Sequence, residues 1–182
     1  MGDVGYARFV RSDVLPGDPE QRVVDDLASS LLAHLRRSAV AVDAVHVYGA
    51  RSSAIQSIVS QLLTEHLGFA EEVVLTPQDG LVTQSRPDFF YRLAPGRGIL
   101  AEVERGGTTN NNHDLKDVWK AHVSPDAQHL FLVVPNTNWK ASGEPRERPF
   151  HRVVGRVQAL FGEARREVDI RSAHVFGYGR ED

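Results

Sequence analysis

A continuous apolar run constrains the fold of this chain more than any other feature. HLFLVVP, at residues 129–135, carries no polar residue after its first position. Successive side chains of a strand point to opposite faces of a sheet, so an uninterrupted apolar strand is typical of a sheet that is covered on both faces. Helices must supply that cover. The run therefore predicts an α/β fold in which helices lie on both sides of a sheet.

Apolar residues at helical spacing predict the flanking helices. They lie at about residues 19–38, 51–67, 112–122 and 150–163. Alternating or apolar stretches between turn residues predict the remaining strands, at about residues 42–49, 71–76, 88–93, 98–105 and 169–179. The expected architecture is a mixed central β-sheet flanked by helices. In the helix at 112–122 we expect Leu115, Val118 and Trp119 to face inward, with Asn111 or Asn112 as the cap.

The chain of 182 residues is long enough for one domain with its own core. We expect a single domain in which an N-terminal helical extension at about 1–41 precedes a core at about 42–135. A C-terminal helix and strand follow at about 146–178. The stretch at 136–149 is rich in Pro, Gly and polar residues and is predicted to be a loop. Trp139 in this loop is a candidate for a stacking or partner contact.

Composition narrows the range of functions. The chain has no cysteine, which rules out disulfides, thiolate nucleophiles and cysteine-based zinc sites. It lacks a long apolar segment and an apolar leader, so we expect no membrane span and a cytoplasmic location. The net charge of −3 gives no overall basic signature for nucleic acid. Residues 139–166 are locally basic and form either a nucleic-acid-binding face or an ordinary solvated helix surface.

Three acidic residues mark a predicted hairpin at residues 86–107, RPDFFYRLAPGRGILAEVERGG. Glu102 and Glu104 point to the same side of their strand, and Asp88 opens the partner strand. Carboxylates that converge in this way repel one another unless a cation neutralises them. Oxygen ligands suit Mg²⁺ or Mn²⁺, and a carboxylate-bound metal suits phosphodiester hydrolysis. The alternative is that the two glutamates lie on an ordinary solvated strand face.

Arg-Pro-Asp followed by Glu-Val-Glu resembles the PD-(D/E)xK nuclease superfamily. The predicted order of elements between about residues 50 and 135 also resembles the αβββαβ core of that superfamily, the restriction-endonuclease-like core. The resemblance implies that Asp88 and Glu102 hold a Mg²⁺ ion, with Mn²⁺ as the alternative. It further implies a metal-dependent endonuclease that hydrolyses DNA.

The chain departs from the superfamily pattern at its third motif residue. Glu104 stands where the superfamily usually has lysine, which is similar to the E-x-E of the BamHI-like branch of type II restriction endonucleases. That resemblance gives Glu104 the role of orienting or deprotonating the attacking water. Alternatively, Lys116 or Lys120 on the next helix supplies the positive charge, or the site is inactive. The frequent glutamate of the first core helix is also missing, and Glu65 lies towards the far end of that helix.

Polar and basic residues beside the acidic hairpin are candidates for holding DNA. Gly-rich and amide-rich sequence after the second strand allows backbone and side-chain hydrogen bonds to phosphates or base edges, and a helix start can bind phosphate. The candidates are Arg51, Ser52, Ser53, Gln56, Arg86, Arg105, Thr108, Thr109, Asn110 and His113. For each, a structural role as a cap, turn or surface residue is the alternative.

These features lead to three hypotheses. The first is a Mg²⁺-dependent DNA endonuclease of the restriction or defence type, a homodimer if its target is palindromic. The second is a catalytically inactive module of the same fold that binds DNA or protein. The third is an interaction protein whose acidic cluster is only surface.

Overall fold

The computed structural model describes residues 4–75, 86–161 and 168–181. Six strands form one mixed sheet, ordered β1-β8-β5-β4-β3-β2. They are β1 (Gly5–Val10), β2 (Ala70–Glu71), β3 (Phe89–Ala94), β4 (Arg97–Val103), β5 (His129–Pro135) and β8 (Ser172–Tyr178). A separate two-stranded hairpin consists of β6 (Asn138–Trp139) and β7 (Pro145–Glu147). The predicted mixed sheet flanked by helices is confirmed.

Five helices lie in the described part of the chain. They are α1 (Pro19–Arg37), α2 (Ala39–Val45), α3 (Ser52–Glu65), α4 (His113–Val123) and α5 (Pro149–Leu160). Asp18 caps α1 by accepting a hydrogen bond from the backbone N–H of Gln21 at 2.8 Å, and Pro19 takes the first helical position. No helix among the described residues is long and apolar enough to cross a membrane.

β5 lies in the middle of the sheet and explains the apolar run that the sequence shows. It pairs in parallel with β4 on one side and with β8 on the other, and all of its residues are buried. Phe131 and Val133 pack in a core with α1, α2 and α3, whereas Leu130 and Leu132 pack in a second core with α4 and α5. The prediction of a strand covered on both faces is therefore confirmed.

The acidic hairpin at 86–107 forms as predicted. β3 and β4 are antiparallel, with Phe89 opposite Ala101, and the turn lies at Pro95 and Gly96. The alternative of a solvated strand face is wrong for Glu102, because Leu100 and Glu102 on that side of β4 are buried. β4 also pairs with β5, and helices therefore cover both of its faces.

Two predicted elements differ in the structure. The strand predicted at 42–49 is helix α2 followed by a loop, because Ala39 and Val42, three residues apart, bury one helical face. Residues 5–10, expected within a helical extension, form β1, an edge strand antiparallel to β8. A third predicted element, the strand at 71–76, is present only in part: Glu71 lies in β2 and Leu75 makes an isolated bridge. Residue 76 of that strand and residues 162–163 of the helix predicted at 150–163 lie outside the described residues.

The orientation of α4 also differs from the prediction. Trp119 is 64% exposed and Leu115 is 40% exposed, whereas Asp114 and Asp117 are buried. Asp114 pairs with Arg156 of α5 at 2.8 Å, so partners on neighbouring elements draw the acidic face of α4 inward. The cap is Asn112, in a left-handed conformation and without a side-chain cap bond.

The predicted loop at 136–149 contains the β6–β7 hairpin. Trp139 is buried in it, and the guanidinium of Arg180 lies 4.3 Å from the ring centroid. The side chain proposed for stacking with an external partner therefore stacks within the protein.

A charged network at the end of the sheet where β4 and β5 begin connects α1 to both strands. Glu20 accepts two hydrogen bonds from Arg97 at 2.5 Å and contacts Nε2 of the buried His129 at 3.0 Å. The pKa of Glu20 is lowered to about 2, mainly by the hydrogen bonds from Arg97, although burial acts in the opposite direction. The network thus stabilises the ionised carboxylate in the folded state.

Replacing Glu20 tests this network. We expect Glu20→Gln to lower the free energy of unfolding at pH 7 by about 2 kcal/mol, after allowance for partial solvent exposure. Because the folded pKa is depressed, the contribution is present above the unfolded pKa and is lost as the pH falls from about 4.5 to about 2. Urea unfolding at several pH values measures it. Glu144→Gln, in an exposed pair with Lys140, is the matched control, and equal stability of the two variants would contradict the expectation.

Candidate active site

Asp88 stands immediately before β3 and is tied to the neighbouring strand. Its carboxylate Oδ2 accepts a hydrogen bond from the backbone N–H of Val103 at 2.9 Å. Its own backbone N–H donates to Oε2 of Glu102 at 3.3 Å. Burial is the main cause that raises the pKa of Asp88. The hairpin register therefore brings two of the three expected carboxylates together.

Glu102 is buried on the face of β4 that α4 covers, with 5% of its surface exposed. Its Oε1 accepts a hydrogen bond from the ammonium group of Lys120. Burial raises the pKa of Glu102 to about 7, although the nearby charge of Lys120 acts in the opposite direction. Of the two lysines considered from the sequence, Lys120 reaches the acidic cluster, whereas Lys116 is exposed and makes no side-chain contact with it.

Asp117 completes the cluster and was not identified from the sequence. Its Oδ1 lies 3.4 Å from Nζ of Lys120, one turn further along α4. Burial, followed by the charge of Glu102, raises the pKa of Asp117 to about 8. Its Oδ2 is buried and has no hydrogen-bond partner among the described residues. The three-residue spacing between Asp117 and Lys120 indicates that the two side chains share one face of the helix. The predicted orientation of α4 placed that face towards solvent, so Asp117 was not a candidate.

Glu104 does not join Asp88 and Glu102. Its Oε2 lies 2.9 Å from Nδ1 of His113, at the start of α4. The backbone around it is fixed as well, since its N–H donates to Val133 and its C=O accepts from the hydroxyl of Tyr178. Within the described ranges, no group of three or more His, Asp or Glu side chains is arranged to hold a metal ion.

A cleft of about 540 Å³ opens beside Asp88. Ser53 and Gln56, both predicted to contact DNA, line it from α3. Glu65 lines it as well, although its place towards the end of the helix had argued against a role at the site. Glu72 adds a further carboxylate, and its backbone N–H donates to the C=O of Asp88 at 3.1 Å. The cleft is therefore lined by the carboxyl groups of Asp88, Glu65 and Glu72 and by polar side chains of α3.

The remaining candidates fall into two groups. Exposed side chains free to meet a ligand are Arg51, Ser52, Arg86 and Asn110. Arg51 is the cap residue of α3 and makes no side-chain cap bond. Thr108 and Thr109 are buried, and their hydroxyls lie 3.4 Å from the C=O of Arg105 and from Glu147 respectively. We assign these two threonines to loop stability, because their hydroxyls already have partners within the chain.

Arg105 turns away from the acidic cluster. Its Nη2 donates to the backbone C=O of Val47 at 2.7 Å, in the loop between α2 and α3. With Asn110 it lines a separate cavity, on the segment that follows Glu104 in the chain.

Comparison with known proteins adds no family assignment. No family model matches the chain, and no curated protein matches it.

The raised pKa values predict a pH dependence of stability. A carboxyl group with a raised folded pKa contributes stability below its unfolded pKa that is lost as the pH rises through the folded pKa. In chelator, we therefore expect the change in stability between pH 5 and 9 to differ between the two proteins, with Asp117→Asn losing about 1–2 kcal/mol less than the wild-type protein over this range. Chemical unfolding across this range measures both slopes. Equal slopes would contradict the assigned pKa of Asp117.

Proposed function

We propose that the chain is a Mg²⁺-dependent DNA endonuclease of the restriction or defence type. The observation that carries the proposal is the meeting of Asp88, Glu102 and Lys120, which come from the start of β3, from β4 and from α4. Two carboxylates and a lysine are the residue types of the PD-(D/E)xK motif, which the sequence resembles. In this chain the lysine comes from the following helix and not from the position of Glu104.

The arrangement of elements supports the same proposal. The order α3, β2, β3, β4, α4, β5 follows the αβββαβ order expected of a restriction-endonuclease-like core. β3 and β4 form an antiparallel hairpin, and β4 pairs in parallel with β5 after the α4 crossover. Asp88 and Glu102 lie towards the end of this hairpin away from the turn, and Asp88 also lines the cleft beside α3.

The donor set fits a hard divalent cation. Mg²⁺ keeps several of its waters and needs only one or two protein carboxylates, which Asp88 and Glu102 would provide. The buried carboxyl groups of Glu102 and Asp117 both contact the single ammonium group of Lys120, Asp88 lies beside Glu102, and one oxygen of Asp117 lacks a partner among the described residues. Such a surplus of acidic groups favours cation binding. A bound Mg²⁺ would activate water and stabilise the negative charge that develops on the phosphate.

The chain's own residues would supply binding and orientation. Lys120, held between Glu102 and Asp117, places a positive charge at the acidic centre and would orient the attacking water or the scissile phosphate. Ser53 and Gln56 along α3 would hydrogen-bond the DNA backbone in the cleft. His113 fixes the carboxylate of Glu104 beside the start of α4. A homodimer is proposed if the target is palindromic, because two-fold sites are read by two-fold proteins.

A specific observation favours a second candidate, an inactive module that binds DNA or protein. Glu104, to which the resemblance gave the water-orienting role, is paired with His113. Glu102 already has Lys120 as a cationic partner. On this alternative the lysine replaces the metal and the cluster is structural.

Cleavage of a mixed DNA panel tests the proposal. Plasmid, modified phage DNA and branched junctions would be incubated with Mg²⁺, with Mn²⁺ and with chelator. We expect metal-dependent cutting that falls by about 100-fold or more in Asp88→Asn and in Lys120→Met, because each removes a group that acts on the transition state. Glu144→Gln, far from the cluster in sequence and exposed, is the matched control. Folded wild-type protein that cuts no substrate would support the binding module, and cutting that survives Asp88→Asn would refute the assigned site.

A further inference from the structure

A second polar cavity lies on the segment that follows β4 and differs from the acidic site in chemistry. It has a volume of about 250 Å³ and three walls. The walls are the loop at 46–49 after α2, the segment at 105–111 between β4 and α4, and the β6–β7 hairpin. Because Arg105 directly follows Glu104, the chain that forms the acidic site continues into the wall of this cavity.

Hydrogen bonds across the walls show that the cavity is formed in advance of any ligand. Arg105 donates to Val47 at 2.7 Å and joins two of the walls. Nε2 of His46 lies 2.7 Å from the C=O of Thr137, which must accept, so Nε2 carries the proton. Asn138 donates to Glu147 at 2.9 Å and closes the hairpin wall. A site whose walls are fixed in this way loses little conformational freedom on binding.

The groups left over for a ligand are mainly neutral amides, one aromatic ring and one guanidinium. The side chains of Asn110, Asn111 and Arg146 line the cavity, are largely exposed and make no side-chain hydrogen bond among the described residues. Tyr48 lines the cavity with 59% of its surface exposed. Gly107 has a φ of +77°, and a Cβ at this residue would lie 2.7 Å from the side-chain amide nitrogen of Asn111. The absence of a side chain at Gly107 therefore leaves room for the carboxamide of Asn111.

This chemistry favours a nucleobase over a phosphate. A phosphate diester only accepts hydrogen bonds, and the carboxylate of Glu147 in the cavity wall offsets part of the attraction of Arg105 and Arg146 for it. A base edge both donates and accepts, which matches the carboxamides of Asn110 and Asn111. Every base also has a flat face that stacks on an aromatic ring such as that of Tyr48. The volume is sufficient for one base.

We propose that this cavity, on the segment that continues from the strand carrying Glu102, binds a single nucleobase that has left the helical stack. The inference rests on the proposed function, since it concerns the DNA that the acidic site would cut. It names the substrate class as DNA with an unstacked base: a bulge, a mismatch, a damaged position or a junction. Such bases cost least to extrude, so the cavity selects them over intact duplex.

A binding experiment in chelator tests the cavity without cleavage. The probe is a short duplex that carries 2-aminopurine as a single-base bulge, because the emission of this base reports its stacking. A duplex with an abasic spacer at the bulge serves as competitor, since it keeps the phosphates and lacks the base. We expect the bulged duplex to change emission on binding and the abasic competitor to bind about fivefold or more weakly.

Three variants connect the signal to the cavity. Tyr48→Ala should weaken binding of the bulged duplex by about fivefold or more, because it removes the stacking ring. Tyr48→Phe keeps the ring and should bind like wild type. Val40→Ala, at a position that is 82% exposed on α2, is the control and should have no effect. Equal binding by Tyr48→Ala, or equal competition by the abasic duplex, would overturn the proposal.

The two proposals fail separately. A base-dependent signal from a protein that cuts no DNA would leave the cavity in place and remove the nuclease. Metal-dependent cutting without a base-dependent signal would keep the nuclease and overturn the cavity's assigned ligand.

Discussion

The carboxylate of Glu102 is the constraint on which the fold and the candidate site both depend. It lies on β4, a strand paired on both edges and covered on both faces, and only 5% of its surface is exposed. An ionised carboxylate in such a place is costly unless it is paired and hydrogen-bonded. Lys120 and the backbone N–H of Asp88 provide its partners. The position of α4 over the sheet is therefore linked to the chemistry of the site.

The cluster around Glu102 contains more acid than its single lysine neutralises. Asp88 and Asp117 are both largely buried, and burial raises the pKa of each. A core selected only for stability would place apolar residues here, since replacing buried charges with packed apolar groups is often neutral or stabilising. Features that oppose local stability concentrate at functional sites. The surplus of acidic groups is consequently the strongest physical support for the cation site that we propose at this end of the sheet.

Much of the sheet could be predicted from sequence because its signals are local. The apolar run at 129–135 and the turn between β3 and β4 needed no knowledge of distant partners. The failures occurred where a distant partner decides the outcome. Alternating residues at 42–49 suit a strand, but packing of Val42 against neighbouring helices selects α2. β1 forms because β8, more than 160 residues further along the chain, offers it an edge.

The residues of the candidate site were also predictable only where local sequence determines their positions. Asp88 and Glu102 could be identified because a hairpin brings them together through its local register. Asp117 could not, because the face of α4 that it occupies is set by Arg156 on α5 and by Glu102 on β4. Apolar periodicity alone predicted that Trp119 faces inward. In the structure, ion pairs between α4 and its neighbours set the orientation of the helix and leave Trp119 largely exposed.

Binding of Mn²⁺ in the absence of DNA is the most direct test of the proposed metal site on Asp88 and Glu102. Electron paramagnetic resonance of a Mn²⁺ titration counts bound ions without any assumption about the substrate. If Asp88 and Glu102 hold the metal, we expect one saturable Mn²⁺ site in the wild-type protein, from which Mg²⁺ displaces Mn²⁺. This site should be lost in both Asp88→Asn and Glu102→Gln, while Glu144→Gln keeps it. Folded wild-type protein that binds no Mn²⁺, or binding that is unchanged in Asp88→Asn, would contradict it.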